Sequence, residues 1–170
     1  MTETKLPEPW LRGTLTEVSS VQRAVLHALV LAQEDLEVWC GGFSDAELNA
    51  RPAGLAPIAF HLRHIARSID RLLTYAEGRQ LDGGQIAAMK TEMDPGAVHK
   101  ELFAELAAAL AVSAKRIRAI DPASLDEPRT VGRKQLPTSV GGLLVHVADH
   151  TQRHVGQAIT TAKIVAAHVK

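Results

Sequence analysis

The sequence predicts an all-α protein: a four-helix bundle with two longer connections and a short extra helical segment. Three observations carry this expectation. Alanine and leucine are abundant while aromatics make up only 4% of residues, a mix that favours helix over sheet. Four long segments repeat apolar residues at three- and four-residue spacing, the pattern of a helix with one buried face. Glycine, proline and capping residues mark where those segments end. A chain of 170 residues fits one domain over 1–170 with a core of ordinary size.

Residues 1–13 are proline-rich and polar and read as an N-terminal arm, with Trp10 and Leu11 expected to pack onto the body. The first helix is expected from about Thr16 to Trp39, burying Val21, Val25, Leu29, Ala32, Leu36 and Trp39, and Gly41-Gly42 stops it. Ser44-Asp45-Ala46-Glu47 has the form of a capping box for one short turn. Arg51-Pro52-Ala53-Gly54 then breaks the chain. The second helix begins at Pro57, which suits a first turn. It runs through Ile58, Leu62, Ile65, Ile69, Leu72 and Leu73 to Ala76.

Residues 79–95 contain Gly83-Gly84 and a weak helical piece, Gln85–Met93, and read as a long connection outside the core. Asp94-Pro95 looks like an N-cap with proline following. The third helix runs from there to Ile120, burying Leu102, Leu106, Leu110 and Ile117. Residues 121–137 hold three prolines and form a second long connection, with a short extended piece at Arg129–Val131. The fourth helix starts near Thr138 or Ser139 and reaches Val165. These four helices point to an antiparallel-type bundle, although the long connections imply that not every sequential pair is a tight hairpin.

Charge narrows the function. Nineteen basic residues balance nineteen acidic ones, so the chain lacks the footprint of a nucleic-acid or membrane-surface binder. The lone Cys40 excludes an internal disulfide and a multi-cysteine zinc site, and it is expected to be a buried helix-end residue. The start, MTETKLPEPW, lacks a basic region followed by an apolar run, and no apolar stretch reaches spanning length. The expectation is a cytoplasmic protein with no nucleic-acid or membrane partner.

Eight histidines are the compositional oddity. His146, His150 and His154 recur every four residues on the fourth helix, so neighbours in the series share a face. His150 and His154 lie on the side of Leu143, Val147 and Ala158. His146 is about 80° around the helix from His154, which favours it as a pocket or outer residue and not as a third ligand on the same ion. On the second helix, His61 sits beside the Ile58–Ile65–Leu72 side and His64 lies at its margin. Spacing alone does not choose between these two. Either can join His150 and His154, and three imidazoles make an open site with room for water or substrate. Gln157, about one turn past His154, is placed to orient a ligand or a bound water, or to bond between helices. Asp149 points roughly 100° from His150, toward solvent or a subunit contact. His27, His99 and His168 receive no function, because a lone helical histidine is usually a surface or hydrogen-bonded core residue.

Three stretches resemble the DinB-like superfamily of bacterial four-helix metalloproteins. Ile58–Ala66, IAFHLRHIA, is similar to the family's second-helix pattern of apolar pair, spacer, ligand histidine, apolar and small residue. LLVHVADHTQRHVGQ at Leu143–Gln157 resembles its closing pattern, two histidines four apart followed by a residue, Gly and Gln. The approach Thr138-Ser139-Val140-Gly141-Gly142 resembles the loop leading into it. Aligned this way, the resemblance makes His64, His150 and His154 the metal ligands, with Gly156 and Gln157 trailing. It leaves His61 off the usual ligand position, as an outer or pocket residue with His146 and Gln157. The family often carries arginine after the last ligand. Val155 stands there in this chain, which removes an anion-binding role from that position.

A divalent ion on three imidazoles favours anionic ligands and lowers the pKa of a thiol or water. Zinc or nickel suits such ligands best, and iron also fits. The resemblance implies a relative of the superfamily's thiol-dependent transferases, such as mycothiol-dependent maleylpyruvate isomerases and bacillithiol transferases. Such a relative would use a low-molecular-weight thiol against a small-molecule electrophile and form a homodimer. A metal-dependent hydrolase ranks lower, because no inward carboxylate stands out on the second or fourth helix to act as base. A non-catalytic, stress-associated metal- or ligand-binding protein is the third reading.

Overall fold

The structure is a computed structural model that describes residues 6–168. Residues 1–5 of the expected arm and the side chain of His168 lie outside the described residues. The elements are α1 (Ser20–Cys40), α2 (Asp45–Leu48), α3 (Ile58–Ala76), α4 (Gly83–Lys90), α5 (His99–Ala119), β1 (Pro128–Val131), β2 (Leu136–Ser139) and α6 (Val140–His168). The four long helices form a ring in which α6 packs on both α1 and α3, α3 packs on α5, and α5 closes lightly on α1.

Their directions differ from a simple antiparallel bundle. Gln22 near the start of α1 reaches the carbonyls of Ile117 and Ile120 at the end of α5, so α1 and α5 are antiparallel. Thr161 bonds the Ala56 carbonyl just ahead of α3 while His64 meets His150, so α3 and α6 are antiparallel too. Arg67 pairs with Glu105, and Arg116 pairs with Asp70 and Glu77, which makes α3 and α5 parallel. Gln152 bonds the Ala28 carbonyl while Lys163 lies over Trp39, which makes α1 and α6 parallel. A parallel α3–α5 pair requires residues 77–98 to run back along α3, and α4 lies on that return path.

The core matches the predicted stripes at Val25, Leu29, Ala32, Leu36, Ile58, Leu62, Ile65, Ile69, Leu73, Leu102, Leu106, Leu110 and Ile117. Trp39 departs from its stripe. It is 44% exposed, with the Lys163 ammonium 4.5 Å from its ring centroid. Trp10 and Leu11 also stay exposed, contrary to expectation, and Pro9 is the arm residue that packs. The described part of the arm is tied down by Arg12, whose guanidinium grips both carboxylate oxygens of Glu34.

Two helix starts come four residues later than the sequence suggests. Ser19 and Gln22 form a reciprocal capping box that begins α1 at Ser20. The Arg23 guanidinium meanwhile holds the carbonyls of Leu15, Thr16 and Val18 outside the helix. At α5, Gly96 takes φ +81°, a left-handed turn that ends any helix begun at Asp94. The Asp45 carboxylate then accepts the His99 N–H from across the fold and stands in for an N-cap. The piece at Arg129–Val131 is one strand of a hairpin, paired in register with Leu136–Ser139, and it leads directly into α6.

Candidate metal centre

Two antiparallel helices deliver the imidazoles. On α3, His61 and His64 are less than one turn apart, and on α6, His150 and His154 are just over one. The antiparallel crossing sets His64 opposite His150 and His61 opposite His154. Each of His64, His150 and His154 offers one nitrogen, and the three nitrogens lie within 4.8 Å of one another. Ring centroids of His64 and His154 are 4.3 Å apart, and those of His150 and His154 are 4.6 Å apart. All three side chains are half-buried.

The hydrogen bonds say which nitrogens face the centre. His64 Nδ1 donates to Glu92 Oε2 at 2.7 Å, which turns Nε2 inward, 3.3 Å from His150 Nε2. His150 Nδ1 lies 3.4 Å from Ser68 Oγ. His154 Nδ1 lies 3.1 Å from His61 Nδ1, leaving His154 Nε2 for the cluster. Two ring nitrogens at 3.3 Å cannot both present lone pairs with nothing between them; a proton or a metal cation must bridge them. Nitrogens on one tetrahedral zinc, with Zn–N of about 2.0–2.1 Å, are about 3.3 Å apart. The donor set therefore fits a divalent ion.

Electrostatics point the same way. Burial, and next the neighbouring His154 and His64, push His150 down to about 4. Burial, and next His64 and Arg153, push His154 down to about 4. Both rings are neutral at pH 7, the form that coordinates a metal. His61 is pushed down to about 4 by burial and by His154 and His64. Glu92 is 5% exposed. Burial alone would raise its pKa, but hydrogen bonds from His64 and Arg71 hold it below the ordinary carboxylate range. Phe60 stacks on His64 with centroids 5.2 Å apart and meets His61 edge-on, shielding one side of the cluster from water.

The other candidates fall into place around this centre. His61 is buried against His154 as an outer partner. His146 is half-exposed, its ring 5.4 Å from His150 and its Nδ1 3.7 Å from Asp149. Gln157 is exposed and stands in the wall of a cavity of about 660 Å³ with Leu55, Phe60, His61, Arg153 and Thr160. Asp149 faces solvent and pairs with Arg153 at 2.7 Å. His27 is buried and bonds Thr14, and His99 bonds the Gly41 carbonyl. Val155 is a core residue. Cys40 is fully buried and its thiol is pushed up to about 12 by burial, so it is no nucleophile.

Sequence reasoning missed Glu92, Arg71 and Phe60. The inward carboxylate expected to be absent from the two ligand helices is indeed not on them. It arrives at residue 92, in the stretch 79–95 that the sequence reads as a long connection outside the core. A signal was present: Arg63, Arg67 and Arg71 recur every four residues on α3, a helix whose only acid is Asp70. Such a ladder needs oxygen partners from another segment.

Among the described residues, no helix is long and apolar enough to cross a membrane. The sequence pattern of the DinB superfamily matches residues 28–158, a span that contains all three clustered histidines. The crystal structure of a conserved protein from Enterococcus faecalis superposes with a TM-score of 0.71 at 22% identity, covering 88% of this chain and 99% of that one. That likeness is one of fold. No curated protein matches the chain.

Proposed function

Because the chain belongs to the DinB superfamily, we propose that it is a divalent-metal-dependent enzyme of the thiol S-transferase type, its ion held by His64, His150 and His154. The observation that carries this reading is the convergence of three imidazole nitrogens within 4.8 Å, two of them at the separation that a shared zinc requires. Zinc or nickel suits the donor set, and iron is compatible with it. When bound, such an ion supplies the positive charge that lowers the pKa of an incoming thiol or water.

The protein's own groups do the rest. The α3–α6 pair fixes the imidazoles on rigid elements, and Phe60 keeps water from one side of them. The cavity bounded by Phe60, His61, Arg153 and Gln157 receives a small electrophile, with apolar contact from Phe60 and hydrogen-bond donors in Arg153 and Gln157. A low-molecular-weight thiol is the proposed second substrate, because Cys40 is unable to serve. Hydrolysis fits less well. Both oxygens of Glu92 are committed, one to His64 and one to Arg71, so the single buried carboxylate here is not free to act as a general base.

The test uses protein purified without chelators or nickel resin. Elemental analysis should find about one divalent ion per chain, and His150→Ala should lose it while keeping its helical circular dichroism. Full metal occupancy in His150→Ala would overturn the assignment. Turnover of small electrophiles should depend on added thiol, and turnover at the same rate without thiol would move the reading to hydrolysis.

A further inference from the structure

We infer that residues 88–94 form a clasp whose docking on α3 positions Glu92 against His64, so that docking of this segment and metal loading of the three-histidine centre reinforce each other. The inference rests on the metal-centre reading above and assigns to Glu92 and the arginine ladder a role as positioning residues.

The segment has little to hold it by burial. From residue 82 to residue 96, Glu92 is the sole buried residue. Its apolar side chains are at most partly buried, as at Ile86 and Ala88, and its one fully inserted group is a carboxylate, which is costly to bury unless paired. What holds it is a row of arginines. Arg63 Nη1 donates to the Asp94 carbonyl at 2.6 Å. Arg67 Nη1 donates to the Ala88 carbonyl at 2.8 Å and to Thr91 Oγ1 at 3.0 Å. Arg71 Nη1 donates to Glu92 Oε1 at 2.7 Å. Ahead of α3, Arg51 Nη2 donates to the Met93 carbonyl at 3.2 Å. The ladder Arg63–Arg67–Arg71 is spaced one helical turn per rung, so it lines one strip of α3 and fixes the clasp at successive heights.

The consequence is specific to one atom. Arg71 neutralises and orients Glu92, leaving Oε2 to accept from His64 Nδ1. That bond keeps the hydrogen of His64 on Nδ1 and its lone pair on Nε2, the nitrogen that faces His150. A carboxylate behind a ligating imidazole fixes its tautomer and raises its basicity. Because the clasp is held by polar contacts, half of them exposed, and not by a buried apolar anchor, it belongs to the easily opened part of the molecule. Opening it removes the carboxylate from His64. By linkage, a metal that binds the docked form more tightly must stabilise docking by the same factor.

The experiment measures zinc affinity by competition with a chromophoric chelator, alongside amide exchange of residues 83–94 with and without zinc. It compares the wild type with Glu92→Gln, which keeps the shape and removes the charge. The expected result is a loss of about 10- to 100-fold in zinc affinity for Glu92→Gln, with apo helicity unchanged. In the wild type, zinc should slow exchange at residues 88–94, and in Glu92→Gln it should do so much less. Arg67→Ala leaves the His64–Glu92 pair untouched and should speed exchange of the clasp while weakening zinc several-fold, so the test survives if Glu92→Gln fails to fold. Wild-type zinc affinity in both variants, with exchange of the clasp indifferent to zinc, overturns the clasp and leaves the metal centre standing. A wild type that takes up no zinc, nickel or iron overturns the metal centre and the clasp together.

Discussion

The α3–α6 seam and the α1–α5 seam both leave a gap between helices, and they fill it in opposite ways. On α3–α6 the gap holds imidazoles that face one another, with two nitrogens 3.3 Å apart and no hydroxyl or carbonyl between them. On α1–α5 the gap is lined by Ala107, Ala111 and Ala114 opposite Leu26, Leu29 and Val30, leaving a cavity of about 440 Å³. The histidine there, His27, is satisfied by Thr14 at 3.1 Å. One seam carries polar groups that ask for a cation, and the other carries a packing deficit and a satisfied histidine. A buried histidine is therefore informative only through its partners. Both seams contain one, and only on α3–α6 do its partners leave nitrogens over.

The largest expected effect separates the two seams by metal. His154→Ala should weaken zinc binding by at least about 100-fold, because even the partners behind a ligand are worth about 10- to 100-fold. His27→Ala should leave zinc affinity unchanged and cost about 1 kcal/mol through the lost hydrogen bond to Thr14. Isothermal titration of both variants with zinc, paired with urea unfolding of the apo proteins, checks this. Equal zinc affinity in the two variants would erase the distinction.

A third seam, α3–α5, sharpens the comparison, because its polar groups are paired completely. Arg116 bonds Glu77 through Nε and Asp70 through Nη1, both at 2.6 Å. Burial would raise the Glu77 pKa, yet the guanidinium of Arg116, helped by Arg79, holds it below the ordinary glutamate range. The sign follows from proton binding. The unfolded chain takes up a proton near the usual pKa of about 4.3, and the folded chain does so only at lower pH. Stability from this pair is thus complete above that pH and is lost as pH falls through the folded value. Arg116→Met should cost about 1–2 kcal/mol at pH 7, a figure that allows for the pair's partial exposure. The gap from wild type should shrink below pH 4 in urea unfolding. A gap that grows on acidification would contradict the pairing.

Most of the bundle was legible in the sequence because apolar periodicity reports burial directly. Leu62, Ile65, Ile69 and Leu73 sit in the core as their spacing requires. The histidine pair on α6 was legible for the same reason, since helical spacing fixes which side chains share a face. Helix starts were legible unevenly: Pro57 marked that of α3, while the local Ser19–Gln22 box of α1 was passed over. Ser44 caps α2 from within its own box, whereas α5 begins where a carboxylate from α2 reaches it, a contact between residues 54 positions apart. Helix direction was not legible either, because it is set by how the connections cross. That direction is what carries Glu92 to His64, so the carboxylate behind the cluster stayed hidden while the clustered histidines were visible.

The smallest expected effect concerns the deficit itself. The light α1–α5 contact arises where the α5 side chains at 107, 111 and 114 stop at Cβ, so that a cavity stays open beside Leu26, Leu29 and Val30. Ala111→Leu keeps a strong helix former on α5 and adds a branched side chain to the wall of the cavity that Val30 also lines. Covering part of that side chain at about 25 cal/mol per Å² of apolar area, less the rotamer entropy lost, should stabilise the fold by up to about 1 kcal/mol and raise the midpoint of thermal unfolding by several degrees. Zinc affinity should be untouched, because no ligand helix of the centre borders this cavity. If the substitution instead destabilises the protein, α1 and α5 are packed as tightly as the other seams. If it stabilises the fold and also weakens zinc, the two seams are coupled through the bundle and the contrast between them is one of degree.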